Sequence, residues 1–244
     1  TVFEDNSKKT TAHLRLAPDN CVDYAAQQHT PASIAEFRGL GSVTWLPEHG
    51  DAEIVTGVVA SPRLFGVLGI RALIGRTLEM HDEEPDAAPG AVISYAFWQR
   101  AFGGDAAVIG RSISFNGHSY QLLGVMPRSF TLGMSEDVWM PYDIRDDLKD
   151  AVRSRKQHYL RAIGRLRRGA TVDEARMDLA TIAQRLSLQY PEADNGKTAT
   201  VVPLRESISG DLRVSLLLLQ GAAGLVLLIA CANRANLTLS RTMS

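Results

Sequence analysis

The stretch VSLLLLQGAAGLVLLIACAN, residues 214–233, constrains what this chain can fold into more than any other. Arg213 and Arg234 bracket it without an intervening charge; as helix, at about 1.5 Å per residue, it reaches about 30 Å, the thickness of a hydrocarbon core. Gln220 and Asn233 are its only strongly polar side chains, and Gly221, Ala222, Ala223 and Gly224 form a smooth patch suited to close helix contact in lipid. A buried helix of a soluble protein is the competing reading, but such helices carry a polar stripe and seldom run this long without charge. A signal peptide does not fit the position, far from the N-terminus and behind a long stretch of mixed polarity. The sequence therefore predicts a soluble domain followed by a transmembrane helix over 214–233. Charge does not orient it, because Arg205 and Arg213 before the run balance Arg234 and Arg241 after it. Opening on Thr1 and stopping at Ser244, just past the run, the sequence reads as a piece of a longer membrane protein.

The residues ahead of the run, roughly 210 of them, suffice for one large domain or two small ones. A formal net charge of −1 with 22% charged residues supplies no global field for nucleic acid or an acidic ligand. Disorder is inconsistent with 45% hydrophobic content. Cys21 lies in the soluble part and Cys231 near the end of the apolar run, so no intrachain disulfide is expected.

Along the soluble part, 2–4 reads as a short strand. The Pro18-Asp19-Asn20 turn makes Asn20 the N-cap of a helix over 21–28, and Pro31 starts a second short helix ending near Gly39. Segments 42–46 and 52–59 flank Glu48-His49-Gly50-Asp51 as a hairpin. Ser61-Pro62 opens a helical turn or two carrying Leu64, Phe65, Val67 and Leu68, stopped by Gly69. An acidic, Pro-containing loop over 81–90 is expected to be mobile. A buried strand at 91–94 and a helix at 95–102 follow, broken at Gly103-Gly104-Asp105. The clearest local signal is 111–126: Ile113 and Phe115 alternate with Ser112 and Ser114, Asn116-Gly117 tolerates the positive φ of a type I′ turn, and 120–125 returns. Residues 137–141 are extended, and a polar connection runs over 143–156. A strand at 158–166, a helix behind the capping box Thr171 and Glu174, and a strand at 198–204 make a βαβ unit with parallel strands. The fold class is α+β: strand–helix–strand halves from 1–60 and 156–210 set side by side as a split βαβ, ferredoxin-like lobe, with 61–155 inserted between them.

The chain encodes no nucleotide or hydrolase chemistry that its motifs disclose. There is no G-x-x-x-x-G-K-[ST] loop, no G-x-S-x-G elbow and no H-E-x-x-H helix, and Gly103-Gly104-Asp105 reads as a helix stop. His81, Asp82, Glu83, Glu84 and Asp86 are hard ligands in one loop, but adjacent carboxylates with Pro85 among them do not alternate as a Ca²⁺ loop requires. The histidines, His13, His29, His49, His81, His118 and His158, lack zinc spacing. The basic run Arg153, Arg155, Lys156, Arg161, Arg165, Arg167 and Arg168 has only Tyr159 as an aromatic neighbour, and reads as an exposed strand face rather than a nucleic-acid surface. Phe97, Trp98, Phe115 and Trp139 read as core of the inserted region rather than an apolar ligand pocket. No catalytic, cofactor-binding or metal-binding residue is assigned, and no enzyme activity is expected.

In order and spacing, ASPRLFGVLGIRALIGRTL, AVISYAFWQRAFGGDAAVIGRSISFNGHSYQLLGVMP, DVWMP, RAIGRLRRGATVDEARMDL and VVPLRESISGDLRVSLLLLQGAAGLVLLIACANRANLTLSR resemble the MacB-type periplasmic core domain with the start of an FtsX-like permease segment, closest to duplicated orphan permeases of acidobacteria. The resemblance implies an ABC-transporter permease of the bacterial inner membrane whose soluble domain is periplasmic, with 214–233 as its second transmembrane helix leading to the cytoplasm. It implies a porter-type lobe (1–60 and 156–210), a sabre-type inserted lobe (61–155), and a mechanotransmission role coupling ATP-driven helix motion to export or envelope processes. Implied partners are the membrane and a separate ABC ATPase subunit; the resemblance leaves open a homodimer or a pseudo-dimer with a second permease half, and a periplasmic adaptor. Orphan permeases usually lack a fused nucleotide-binding domain, so a membrane-tethered binding or scaffold module without a coupled ATPase is the alternative.

Overall fold

The computed structural model describes residues 1–6, 15–84, 86–142, 147–149, 151–208 and 217–229. Residues 1–203 and 204–244 are separate compact units. Among the described residues the first holds ten strands: β1 (Val2–Asn6), β2 (Pro31–Leu46), β3 (Glu53–Ala60), β4 (Ile74–Gly75), β5 (Gly90–Ile93), β6 (Ser112–Phe115), β7 (His118–Val125), β8 (Val138–Pro141), β9 (Arg161–Leu166) and β10 (Lys197–Val201). Its helices are α1 (Pro18–Gln27), α2 (Arg63–Leu68), α3 (Tyr95–Phe102), α4 (Ala151–Lys156), α5 (Val172–Gln189) and α6 (Pro191–Asp194).

Local chemistry explains most of these. Ser94 caps α3 by accepting the Phe97 N–H, and Gly103 closes it in the left-handed region at φ 59°. Thr171 and Glu174 form the expected capping box of α5. Asn116 and Gly117, at φ 50° and 78°, turn β6 into β7, with Ile113 and Phe115 buried. Two expectations fail. Pro31–Leu46 is one strand of 16 residues, not a helix followed by a strand. Ile34 and Phe37 suit one helical face, but Pro31–Phe37 finds β9 to pair with, and that long-range ladder overrides local propensity. Asn20 is not an N-cap either: α1 starts at Pro18, so Asn20 sits inside the helix with its side chain buried.

The strands run in the order β10-β1-β9-β2-β3-β8-β5-β7-β4, with β6 bridging β2 and β7. β1 is antiparallel to both β10 and β9, and β9 is antiparallel to β2. Both units, β1-α1-β2 and β9-α5-β10, therefore have parallel strands, but each holds a strand of the other in its gap. The halves interleave instead of lying side by side. One core belongs to this part: Leu16, Tyr24, Leu160, Leu179 and Ile182 are all 2% exposed or less.

Around the other end of β2 the pairing closes on itself. β2 pairs β3, β3 runs parallel to β8, β8 antiparallel to β5, β5 parallel to β7, β7 antiparallel to β6, and β6 returns to β2. Every strand of this six-membered ring feeds one apolar cluster, through Val43, Val55, Ile93, Phe115, Leu122 and Val138. On the opposite face of β8, Trp139 packs edge-on against Phe65 and tilted against Phe130. β4 approaches β7 closely at Gly124, where a Cβ would lie 2.2 Å from the Arg76 carbonyl oxygen.

In the second unit, 204–208 and 217–229 are helical. Leu217, Leu218, Leu219, Leu225, Val226, Leu227, Leu228 and Ile229 are each at least 58% exposed. No helix among the described residues is long and apolar enough to cross a membrane. Of the expected span, 214–216 and 230–233 lie outside the described residues.

Candidate functional site

The densest polar constellation sits where the first and last strands meet. Pairing of β1 with β10 sets Val2 opposite Val201 and Glu4 opposite Ala199. Strand alternation sends Val2 and Glu4 to the same side, and both are buried, Glu4 completely. A carboxylate there must be compensated. Asn20 Nδ2 donates to Glu4 Oε1 at 2.6 Å and to Asp194 Oδ1 at 3.0 Å. Its own oxygen accepts from Arg155 Nη1 at 2.6 Å, so the buried amide uses both donors and its acceptor.

Arg155 is the hub. Nη2 donates to Asp23 Oδ2 at 2.8 Å, Nη1 reaches Asp194 Oδ2 at 3.4 Å, and Nε lies 3.6 Å from Asp19 Oδ2. The guanidinium also stacks over Tyr190, 3.9 Å from the ring centre. Burial pulls its pKa down, but Asp23, Asp19 and Asp194 outweigh that and the net direction is up. Asp19 and Asp23 are four apart on α1 and share a helix face, and Asp19 also accepts from Ser154 Oγ at 2.6 Å. At the β10 side, Lys197 Nζ contacts Asp194 Oδ1 at 3.1 Å and lies 2.8 Å from His158 Nε2. That same imidazole nitrogen is 2.8 Å from Glu4 Oε2, a close approach rather than an aligned hydrogen bond. Burial, then Glu4, pushes the Tyr24 phenol upward.

The arrangement clamps β1, α1, α4, α6 and β10 into one electrostatic unit. Ser154 donates to the Asp19 carboxylate, and His158 faces the Glu4 carboxylate and the Lys197 ammonium, so these polar side chains are engaged with one another. The expectation that the basic run is an exposed strand face is corrected for Arg155, whose side chain is only 12% exposed; Arg165 does lie exposed on β9, its Nε donating to the Val67 carbonyl at 2.6 Å. Sequence reading missed Glu4, Asp194, His158 and Lys197, and misassigned Asn20. One signal was available for Glu4: a charge on the inward parity of an apolar strand.

The other constellations resolve into structural roles. Asp82 is fixed by Arg76 through two hydrogen bonds of 2.7 and 2.8 Å, and with Glu79 it caps a 3-10 turn over Met80–Glu83. Burial raises the Asp82 carboxyl, but Arg76 and the Glu79 N–H more than offset that and hold it low. No group of three or more metal-ligating side chains occurs among the described residues. Phe97, Trp98, Phe115 and Trp139 are all buried.

Residues 8–182 match the model of the MacB-like periplasmic core domain. A comparison with curated protein sequences finds no match. Among solved structures, the periplasmic region of MacB from Actinobacillus actinomycetemcomitans is similar, with a TM-score of 0.59 and 13% identity over 87% of this chain and 91% of that one. A domain of a putative permease protein from Porphyromonas gingivalis gives 0.57 and 15%, covering 83% and 86%. The extracellular domain of the noncanonic ABC-type transporter YknZ from Gram-positive bacteria gives 0.57 and 12%, covering 82% and 100%. At these identities the structural likeness concerns the fold.

Proposed function

This chain belongs to the MacB-like periplasmic core domain family, and from that premise we propose that it is the extracytoplasmic arm of an ABC-transporter permease in a bacterial inner membrane. In this reading it is not an enzyme. It couples membrane-helix motion, driven by ATP hydrolysis on a separate subunit, to export or to work on the envelope.

The observation that carries this reading is the ladder between the first and last strands. Thr1 N donates to Val202 O at 2.7 Å, and Val202 N donates to Thr1 O at 2.9 Å. Both ends of the folded domain are thus a single hydrogen-bonded pair at one corner of the sheet. A membrane helix joined to either end would load β1 and β10 along the ladder, and the Arg155 network would pass that load to α1, α4 and α6. The exposed aliphatic side chains of 217–229 support lipid as their solvent, with 214–233 as the transmembrane start of an FtsX-like permease region.

The porter-type lobe is assigned to 1–60 and 156–210 and the sabre-type lobe to 61–155. Val43, Trp45 and Val55 join the ring cluster, so the far half of the β2–β3 hairpin serves the inserted lobe. A homodimer or a second permease half, and a periplasmic adaptor, are the partners this assignment admits.

Purifying the parent protein from its native membrane tests the proposal. A co-purifying nucleotide-binding protein, whose ATP hydrolysis the permease stimulates, is expected. Repeated isolation without one, and no stimulation by candidate ATPases, would leave a membrane-tethered scaffold that recruits a periplasmic partner.

A further inference from the structure

One end of the six-strand ring is open. The end of β2, the turn at 47–51, the end of α3 and the start of β6 surround a cleft of about 670 Å³, within the ~300–1,000 Å³ typical of small-molecule sites. Its apolar surface comes from Leu46, Pro47, Ala101 and Phe102, with the buried Trp45 and Ile113 at its floor. Trp45 and Phe102 stand 5.8 Å apart, centre to centre, with their rings tilted 58° to each other.

The rim carries two arginines and two carboxylates, but they are not equivalent. Arg100 is bound to Glu53 at 2.9 Å and to Asp137 at 3.4 Å. Arg111 faces Asp105 at 3.7 Å and donates to the Ala107 carbonyl at 3.0 Å. Arg100 is therefore held by carboxylates of the fold, and Arg111 is turned toward Asp105 and the Ala107 carbonyl. Glu48 and Asp51 are exposed on the lip, and no cation among the described residues engages them. Negative charge at the rim thus stands over an apolar floor, the combination that favours a cation with an apolar body: carboxylates attract it at the rim, and the floor takes up its apolar group. An anionic ligand of the same shape meets the same apolar surface and the opposite field.

We propose that this cleft binds small organic cations, quaternary or protonated amines carrying an aromatic or aliphatic group. The proposal is independent of any coupled ATPase.

The test uses the full chain in nanodiscs of zwitterionic lipid, labelled with 5-fluorotryptophan. Trp45, Trp98 and Trp139 then give three fluorine signals, assigned by Trp45→Phe or, should that variant not fold, by Trp98→Phe and Trp139→Phe. Benzyltrimethylammonium is expected to shift the Trp45 signal saturably and leave the other two in place. Phenylmethanesulfonate should act at least about tenfold more weakly, the scale of one favourable charge contact turned unfavourable. Glu48→Gln combined with Asp51→Asn should bring the two probes within about threefold of each other. Equal response to the sulfonate, joint movement of all three signals, or an ammonium titration unchanged in the double variant would each overturn the proposal.

Discussion

Arg155 shows what a single side chain contributes here: it meets three carboxylates, one amide oxygen and one aromatic face, so its removal leaves Asp194 buried with less compensation. Arg155→Ala should destabilise the domain by about 3–5 kcal/mol, the usual cost of breaking a buried ion pair by deleting one partner. Denaturant unfolding reads this directly, and a loss below about 1 kcal/mol would mean the network does not hold the first and last strands. Glu36 supplies the pH test. Burial raises its pKa, and Arg63 only partly offsets that. Ionising Glu36 costs more folded than unfolded, so its contribution is fully present below the unfolded value near ~4.3 and is lost as pH rises through the higher folded value. Glu36→Gln should therefore leave stability unchanged near pH 4 and increase it at pH 7. Urea midpoints at the two pH values measure the difference, and an equal effect at both would show that the charge is not at issue.

Among the elements, those legible in the sequence are the ones whose cause is local. The β6–β7 hairpin needs two residues tolerant of positive φ between alternating strands, and Asn116-Gly117 is that pair. The start of α5 needs Thr171 and Glu174 three apart, and their side chains satisfy two of the helix's free N–H groups. Thr171→Ala should cost about 1 kcal/mol and fray the first turn without altering the rest of the helix. Amide exchange confined to the first turn is the expected signature, and global loss of protection would contradict it. β2 is the opposite case. Its first half carries an apolar pair three apart that fits a helix, and only β9, arriving more than a hundred residues later, makes it a strand. Glu4, Asn20, His158 and Lys197 were illegible as a site for the same reason: nothing in their spacing brings them together.

At the scale of the whole molecule, residues 1–203 hold the two apolar clusters described above and, among the described residues, every paired strand. A chain ended at Pro203 should be monomeric in detergent-free buffer with cooperative unfolding, whereas the full chain should require detergent or lipid to remain dispersed. Sedimentation of both with and without detergent decides this, and a full chain monomeric in plain buffer would remove the membrane from the account. The α+β class, most element positions and the apolar tail were set by the sequence alone, because periodicity, turn chemistry and hydrophobic length act between residues close in the chain. Family likeness was equally legible, since it rests on ordered segments. The interleaving of the two βαβ units, the closure of six strands into a ring and the clamp around Arg155 were decided only by the tertiary structure. Each depends on which distant strand a given edge pairs with, and that choice is made by burial summed over the whole domain, to which no local window has access.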